Sequence, residues 1–439
     1  MVCREQFLFT RYYGCLSMST FLSPLPADIL ILPPLYYRAN VYYPISYMNT
    51  SDAKGIMVRE IMLEFAERTG LSPAGSSPER YLWTDAFAVC NFLGLYRQTG
   101  DEQYRRLALL LVDQVHALLG RHRPDDDRTG WISGLGEDEG RRHPTKGGLR
   151  IGKKMRERRP DEPFDERLEW DRDGQYFHYL TQWMHALDCV SRATGDPAFN
   201  RWAMELAKTA HAMFAYTLRK GGEKYLYWKM SIDLSYPLIS SMGHHDPLDG
   251  LITYFGLQAT AEKMPGRPES QELGREIAEM AAICEGKDWA TDDPLGIGGL
   301  LTAAYRMTQL ILAGGFTRRD LFDAVVEDSV RSLQYFARGT LGLPADYRLA
   351  FREFGLSIGL QAIQKLQGSI GQHPEVFKMP SGRLKTESFS RYVQLSEAIN
   401  AFWMDSKNRE SATWSEHRNI NMVMLATSLA PEGYLIGLE

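Results

Sequence analysis

The amino-acid order predicts an all-α fold, an (α/α)6 toroid of six helical hairpins. Two observations lead there: twelve helix-like segments of two alternating kinds follow one another from residue 57 onward, and part of that array repeats at a fixed interval. The first kind is amphipathic, at 58–69, 102–119, 198–218, 270–284, 319–336 and 388–404. Charge fills one face of each, as an outer helix in contact with water requires. The second kind is apolar nearly all round and rich in small residues, at 85–96, 174–193, 247–261, 294–312, 348–366 and 414–429. A helix without a polar face has to be buried on every side, which in a double ring is the inner circle. The repeat is carried by Thr99-Gly100-Asp101 and Thr194-Gly195-Asp196, 95 residues apart, with Arg106/Arg201, Ala108/Ala203, His116/His211 and Ala117/Ala212 in the same register. In each copy the glycine ends an inner helix and the aspartate caps the next outer one. Uniform short repeats would suggest an open solenoid; here the loops before the inner helices differ widely in length, which favours a ring. No rhythm of β-branched runs suggests a β/α fold.

Composition narrows the function classes. The chain has 439 residues, 44% hydrophobic and 24% charged, enough for a large core. A net charge of −5 provides no global basic field, so no nucleic-acid partner is expected. The five cysteines are scattered without CxxC or Cys/His spacing, so neither a disulfide framework nor a metal site is expected, and no cofactor. Cys90 and Cys189 read as small core residues, and a reducing, cytoplasmic setting follows. Residues 1–50 carry aromatic and aliphatic clusters interrupted by prolines; they read as an extended arm with no membrane span, or as sequence upstream of a start at Met18 or Met48. Residues 51–439 then form one toroid domain with a long loop insert at 121–170.

The loops entering the inner helices concentrate the chemistry-bearing side chains. The first holds Trp83 and Asp85, an aromatic face beside an acid; Asp85 also fits a helix cap. The second runs Glu169-Trp170-Asp171-Arg172-Asp173-Gly174-Gln175-Tyr176, where two acids flank an arginine although capping needs only one. His178 reads as a core histidine. The third holds His244-His245-Asp246-Pro247-Leu248-Asp249: Asp246-Pro247 reads as a cap followed by a first-turn proline, and the histidine pair as substrate-binding or proton-transfer groups rather than metal ligands. The fourth, Asp292-Asp293-Pro294, repeats the cap. Gly296, Gly298 and Gly299 after it read as close helix packing. The fifth places Arg352 and Glu353 on a buried helix, as an ion pair or as cavity lining. The sixth, Trp414-Ser415-Glu416, mirrors the first, and ring closure would bring Glu416 toward Asp85. The insert adds Trp131 and a basic run from Arg141 to Arg159, read as a solvated loop or as a lid favouring an anionic sugar. Gly147 to Lys153 matches part of a phosphate loop, but Lys154 stands where Ser or Thr is needed.

From about residue 57 to 439 the chain resembles the six-hairpin, (α/α)6-barrel glycosidase-like superfamily, through its hairpin count and its Trp/Asp/His placement. The resemblance implies a sugar site at the mouth formed by these loops, with paired carboxylates in many members. The leading expectation is a glycoside hydrolase, with catalytic groups drawn from Asp85, Asp171, Asp173, His245 and Glu416. Trp83, Trp131, Trp170, Arg172, Tyr176, His244, Asp249 and Trp414 would bind a small-molecule or oligosaccharide substrate, including a uronate. The alternatives are a sugar epimerase or isomerase working through histidines, and a non-catalytic helical scaffold.

Overall fold

The computed structural model describes residues 50–75, 77–218, 222–264, 272–336, 338–377 and 389–435. The arm expected at 1–50 therefore lies outside the described residues except for Thr50, where the first helix begins.

Among the described residues, twelve helices build the ring. The outer ones are α1 (Thr50–Arg68), α3 (Glu102–Leu119), α5 (Pro197–Phe214), α7 (Gly274–Cys284), α9 (Arg319–Tyr335) and α11 (Gln394–Met404). The inner ones are α2 (Leu82–Thr99), α4 (Phe177–Thr194), α6 (Asp246–Lys263), α8 (Pro294–Leu312), α10 (Ala350–Gln372) and α12 (Arg418–Leu429). Each inner helix packs on the next, and α12 returns to α2. The outer partner of α12 is α1, the first helix of the ring. That pairing closes the (α/α)6 toroid.

The two kinds of segment behave as their patterns require. On α3, Tyr104, Leu107, Ala108, Leu111, Val112 and Val115 are buried at helical spacing and the opposite face is wet. On α2 every residue from Leu82 to Leu93 is buried. The repeated caps form as expected: Gly100 and Gly195 take φ of 70° and 73°, and Asp101 and Asp196 accept from Gln103 N and Ala198 N.

Polar side chains fix the closing seam. Asn91 of α2 donates to the Val423 carbonyl of α12 at 3.1 Å and accepts from Thr427 Oγ1 at 3.0 Å. The α8–α10 contact is made by glycines: a Cβ on Gly298 would lie 2.0 Å from the Gly355 carbonyl oxygen. Helix α8 is long and apolar enough to cross a membrane, and here it lies between α6 and α10 in the inner circle.

Three features depart from the periodicity. Helix α5 stops at Phe214 because the chain turns into β2 (Ala215–Thr217), paired antiparallel with β3 (Lys224–Leu226). A small sheet in the order β1-β4-β5, with β1 Gln175–Tyr176, β4 Lys229–Met230 and β5 Pro237–Ile239, ties the end of the insert to the loop before α6. The final inner segment is broken at His417 between a short helix, Ala412–Glu416, and α12. After α12 a last turn, Glu432–Leu435, runs against α2. Gly433 approaches so closely that a Cβ there would sit 2.2 Å from the Cys90 carbonyl oxygen.

Candidate active site

Because the six hairpins run in one sense around the ring, the N-termini of the inner helices share one mouth. The 95-residue repeat aligns α2 with α4, so Trp83 corresponds to His178 and Phe87 to Gln182. These four stand at equivalent places near the N-termini of two neighbouring inner helices. Phe87 stacks on Tyr434 at 4.4 Å, and the Tyr434 hydroxyl donates to Gln182 Oε1 at 2.9 Å. The C-terminal turn therefore supplies the floor. Above it runs a wall of contacting rings: Trp83 with Phe87 at 4.7 Å, Trp83 with Tyr179 at 6.4 Å, and Tyr179 with Tyr176 at 5.2 Å. The Tyr81 and Tyr179 hydroxyls share a 2.7 Å hydrogen bond. Such a surface offers both flat apolar faces and hydroxyls, the two things a pyranose presents in return.

The titratable groups gather on α6 and its entry loop. Asp246 and Asp249 are three residues apart on one helix and so stand on one face, about 5–6 Å between Cβ atoms. Asp246 is buried, and its Oδ2 has no hydrogen-bond partner. Its Oδ1 lies 3.8 Å from His178 Nδ1, which is also without a partner. Burial, reinforced by the Asp249 charge, pushes the Asp246 carboxyl well above the usual carboxylate range. Burial pushes Asp249 up to about 7, against the pull of the Arg306 guanidinium. Arg306 lies 4.9 Å over the Tyr434 ring, with its Nε and Nη2 unpartnered.

The imidazoles go the other way. Burial lowers His178 to about 4, and burial with the neighbouring His244 lowers His245 to about 4, so both are neutral at pH 7. His245 Nε2 is bonded to the Trp289 carbonyl at 2.9 Å, while His244 Nε2 is orphaned and buried. Around the start of α6 one carboxyl, Asp246, is raised well above the usual range, a second, Asp249, titrates near neutrality, and the imidazoles are neutral, a combination that acid–base chemistry can use.

Other residues singled out from the sequence sit elsewhere. Asp85 is turned back on the start of α2, where it accepts from Tyr81 N at 2.9 Å and pairs with Arg80 at 3.5 Å; burial raises it to about 6. Asp173 is fully buried as an anchor of the insert, accepting from Arg150 at 3.0 Å, Arg123 at 3.2 Å and the backbone N–H groups of Gly152, Lys153 and Gly174. Asp171 and Glu416 are exposed. Arg172 pairs with Glu162 at 2.8 Å. Trp170 packs edge-on against Trp228 at 5.0 Å, and Trp228 in turn meets Tyr176, the one residue of this group that belongs to the aromatic wall, at 6.1 Å. Trp131 is buried under the Arg121 guanidinium and against Gly140, so it holds the insert together from inside. Trp414 is buried on Trp403 and Phe354 behind the inner circle. Glu353 forms a two-bond ion pair with Arg348, and Arg352 pairs with Asp293, which also caps α8 through Gly296 N. Most of the basic run is paired as well: Arg141 and Arg142 with Glu137 and Glu139, Arg156 with Glu162, Arg158 with Glu169. That is the solvated, ion-paired loop rather than a free basic lid.

The groups that gather around the aromatic wall without having been singled out are Tyr179, Arg306 and Tyr434, while Asp246 had been read as a cap and His178 as a core histidine. Asp246 was legible only in part. Its place before Pro247 predicts a cap, yet the residue at the N-cap of α6 is His245, with no side-chain capping bond, and the Asp246 carboxyl lies against Gly243 of the entry loop. The available signal was the i, i+3 spacing to Asp249 on an apolar helix.

No family model and no curated protein matches the chain. Among solved structures it is similar to a GH76A α-1,6-mannanase from Salegentibacter sp., at 13% identity and TM-score 0.47, over 86% of this chain and 99% of that one. A sugar epimerase from a ruminal bacterium aligns at 10% identity and TM-score 0.49, over 87% and 98% of the two chains. Cellobiose 2-epimerase from Bacillus thermoamylovorans aligns at 12% identity and TM-score 0.48, over 86% and 98%.

Proposed function

We propose that this protein is a carbohydrate-active enzyme, a glycoside hydrolase acting in the lumen of the toroid. The observation that carries the reading is the Asp246–Asp249 pair, two carboxyls on one face of α6, of which Asp246 lies 3.8 Å from His178 and, through that ring, next to Tyr179 of the aromatic wall. One of them, held protonated at neutral pH by burial and by the other's charge, would protonate the leaving oxygen. The second would act on the opposite side of the reacting carbon. Trp83, Tyr179 and Phe87 would carry the sugar rings, and His178, His244 and His245 would bind hydroxyls. Arg306, with two unpartnered N–H groups, is the cation that would meet a uronate carboxylate.

The test is turnover on neutral and uronate-containing oligosaccharides, read as new reducing ends. Release should fall by about 10²–10⁴-fold in Asp249→Asn. In the wild type it should rise with pH toward about 7, as Asp249 loses its proton and becomes the second carboxylate while Asp246 stays protonated. Release that survives this substitution, or no release from any substrate, overturns the reading. The second reading, a sugar epimerase, rests on the two neutral imidazoles, His178 and His245. It requires deuterium uptake at carbon from heavy water, lost in His178→Gln or His245→Gln, with no reducing ends formed.

A further inference from the structure

The same register that pairs Phe87 with Gln182 puts Cys90 of α2 level with His185 of α4. Cys189 follows His185 by one helical turn on the same face. The two sulfurs and a ring nitrogen of His185 all lie within 4.8 Å of one another. Both cysteines are free and fully buried, and His185 is 9% exposed. We propose that Cys90, His185 and Cys189 bind a thiophilic divalent cation of the zinc type in the wall between α2 and α4. This replaces the sequence-based expectation that the cysteines are core filler and the chain has no metal site. It is independent of the hydrolase reading.

Geometry supports it first. Tetrahedral zinc, with Zn–S about 2.3 Å and Zn–N about 2.0–2.1 Å, holds a sulfur and a nitrogen about 3.6 Å apart and two sulfurs about 3.8 Å apart. His185 Nε2 and Cys189 Sγ are already 3.6 Å apart. From the 4.8 Å limit of the cluster, the Cys90 sulfur needs to move inward by no more than about 1 Å. Ligands four residues apart on one helix converge on one ion for the same reason that both histidines of an H-E-x-x-H helix do.

Electrostatics and access agree. Thiolates are the ligating form, and Arg192 Nη2 donates to Cys189 Sγ at 3.4 Å, while Asp188 balances the Arg192 charge at 3.0 Å. Two thiolates and a neutral imidazole make a divalent ion neutral overall. His185 also lines a small cavity of about 40 Å³ shared with Asp188, Arg192, Thr253, Arg306 and Gln309, which leaves room for a fourth ligand such as water. His185 Nε2 meanwhile bonds the Tyr434 carbonyl at 2.9 Å. An ion taking that nitrogen would displace the bond, so metal and C-terminal turn compete for one atom.

The experiment uses the full chain, reduced and stripped with a chelator, titrated with cobalt(II) as the probe. The expected result is one cobalt per chain, with thiolate-to-cobalt charge-transfer absorption and the intense visible bands of a tetrahedral site, all displaced by zinc. Cys90→Ser, Cys189→Ser and His185→Gln should each weaken cobalt binding more than about 100-fold, with helical circular dichroism unchanged. Absence of the charge-transfer band in the wild type overturns the proposal without reference to any variant. Bands that persist in Cys90→Ser and Cys189→Ser, or a Cys90–Cys189 disulfide in the metal-free isolated protein, overturn it too.

Discussion

Replacing Asp249 by Asn should make the protein more stable at pH 8 while removing its activity. Asp249 is half-buried in the lumen and burial lifts its carboxyl from the usual 3.8 to about 7. A carboxyl raised by folding stabilises the native state fully below the unfolded value, and that contribution is lost as pH rises toward the folded value. The full shift, about 3 pH units at 1.36 kcal/mol each, is about 4 kcal/mol. Between pH 5 and pH 8 the part lost is roughly 2–3 kcal/mol, since the change ends near pH 7. Partial solvent access screens the charge and reduces this to about 1–1.5 kcal/mol. Asn carries no such cost. Urea unfolding of both proteins at pH 5 and pH 8 measures it: the variant should gain about 1 kcal/mol relative to wild type on going from pH 5 to pH 8, with the m-value unchanged. A wild-type-minus-variant difference that stays constant with pH would refute the claim that Asp249 is held protonated by its surroundings. A site that is stabilised by losing its acid is one where function is kept at the expense of stability.

Two further substitutions probe the scaffold. Asp173→Asn leaves Arg150 and Arg123 beside a neutral partner in a buried network, so it should lower stability by about 3 kcal/mol and expose the 121–170 insert to trypsin, both measurable at once. Resistance equal to wild type would show that the insert is anchored elsewhere. Gly433→Ala pushes a Cβ against the Cys90 carbonyl and should cost about 1–3 kcal/mol, whereas Tyr434→Phe removes only the bond to Gln182 and should cost about 1 kcal/mol. Equal urea midpoints for Gly433→Ala and wild type would mean the C-terminal turn does not seat against α2.

The architecture was legible because it is written in local periodicity. A helix buried on all sides and a helix wet on one face have different compositions wherever they occur, and the caps at Asp101 and Asp196 depend only on residues within one turn. Even the glycines of α8 could be assigned to close packing, although of the three only Gly298 meets a neighbouring backbone, while Gly299 faces open space. The site was less legible, because an acid before a helix looks the same whether it caps, anchors or faces the lumen. Asp173 has two charged donors that are neighbours only after the insert folds back, Trp131 is buried by parts of the insert that meet only when it folds, and Trp414 is buried by Trp403 and Phe354 from outside its own loop.

What the order of residues determined alone was the kind and number of helices and the mouth at which their loops meet. What only the tertiary structure decided was which side chains share that space: Asp246 with His178, Tyr434 with Phe87 and Gln182, and Cys90 with His185 and Cys189. The physical reason is range. Helix propensity and amphipathicity act over a few residues, whereas burial and Coulomb coupling act across a few ångströms between groups far apart in the chain, and only ring closure brings them together.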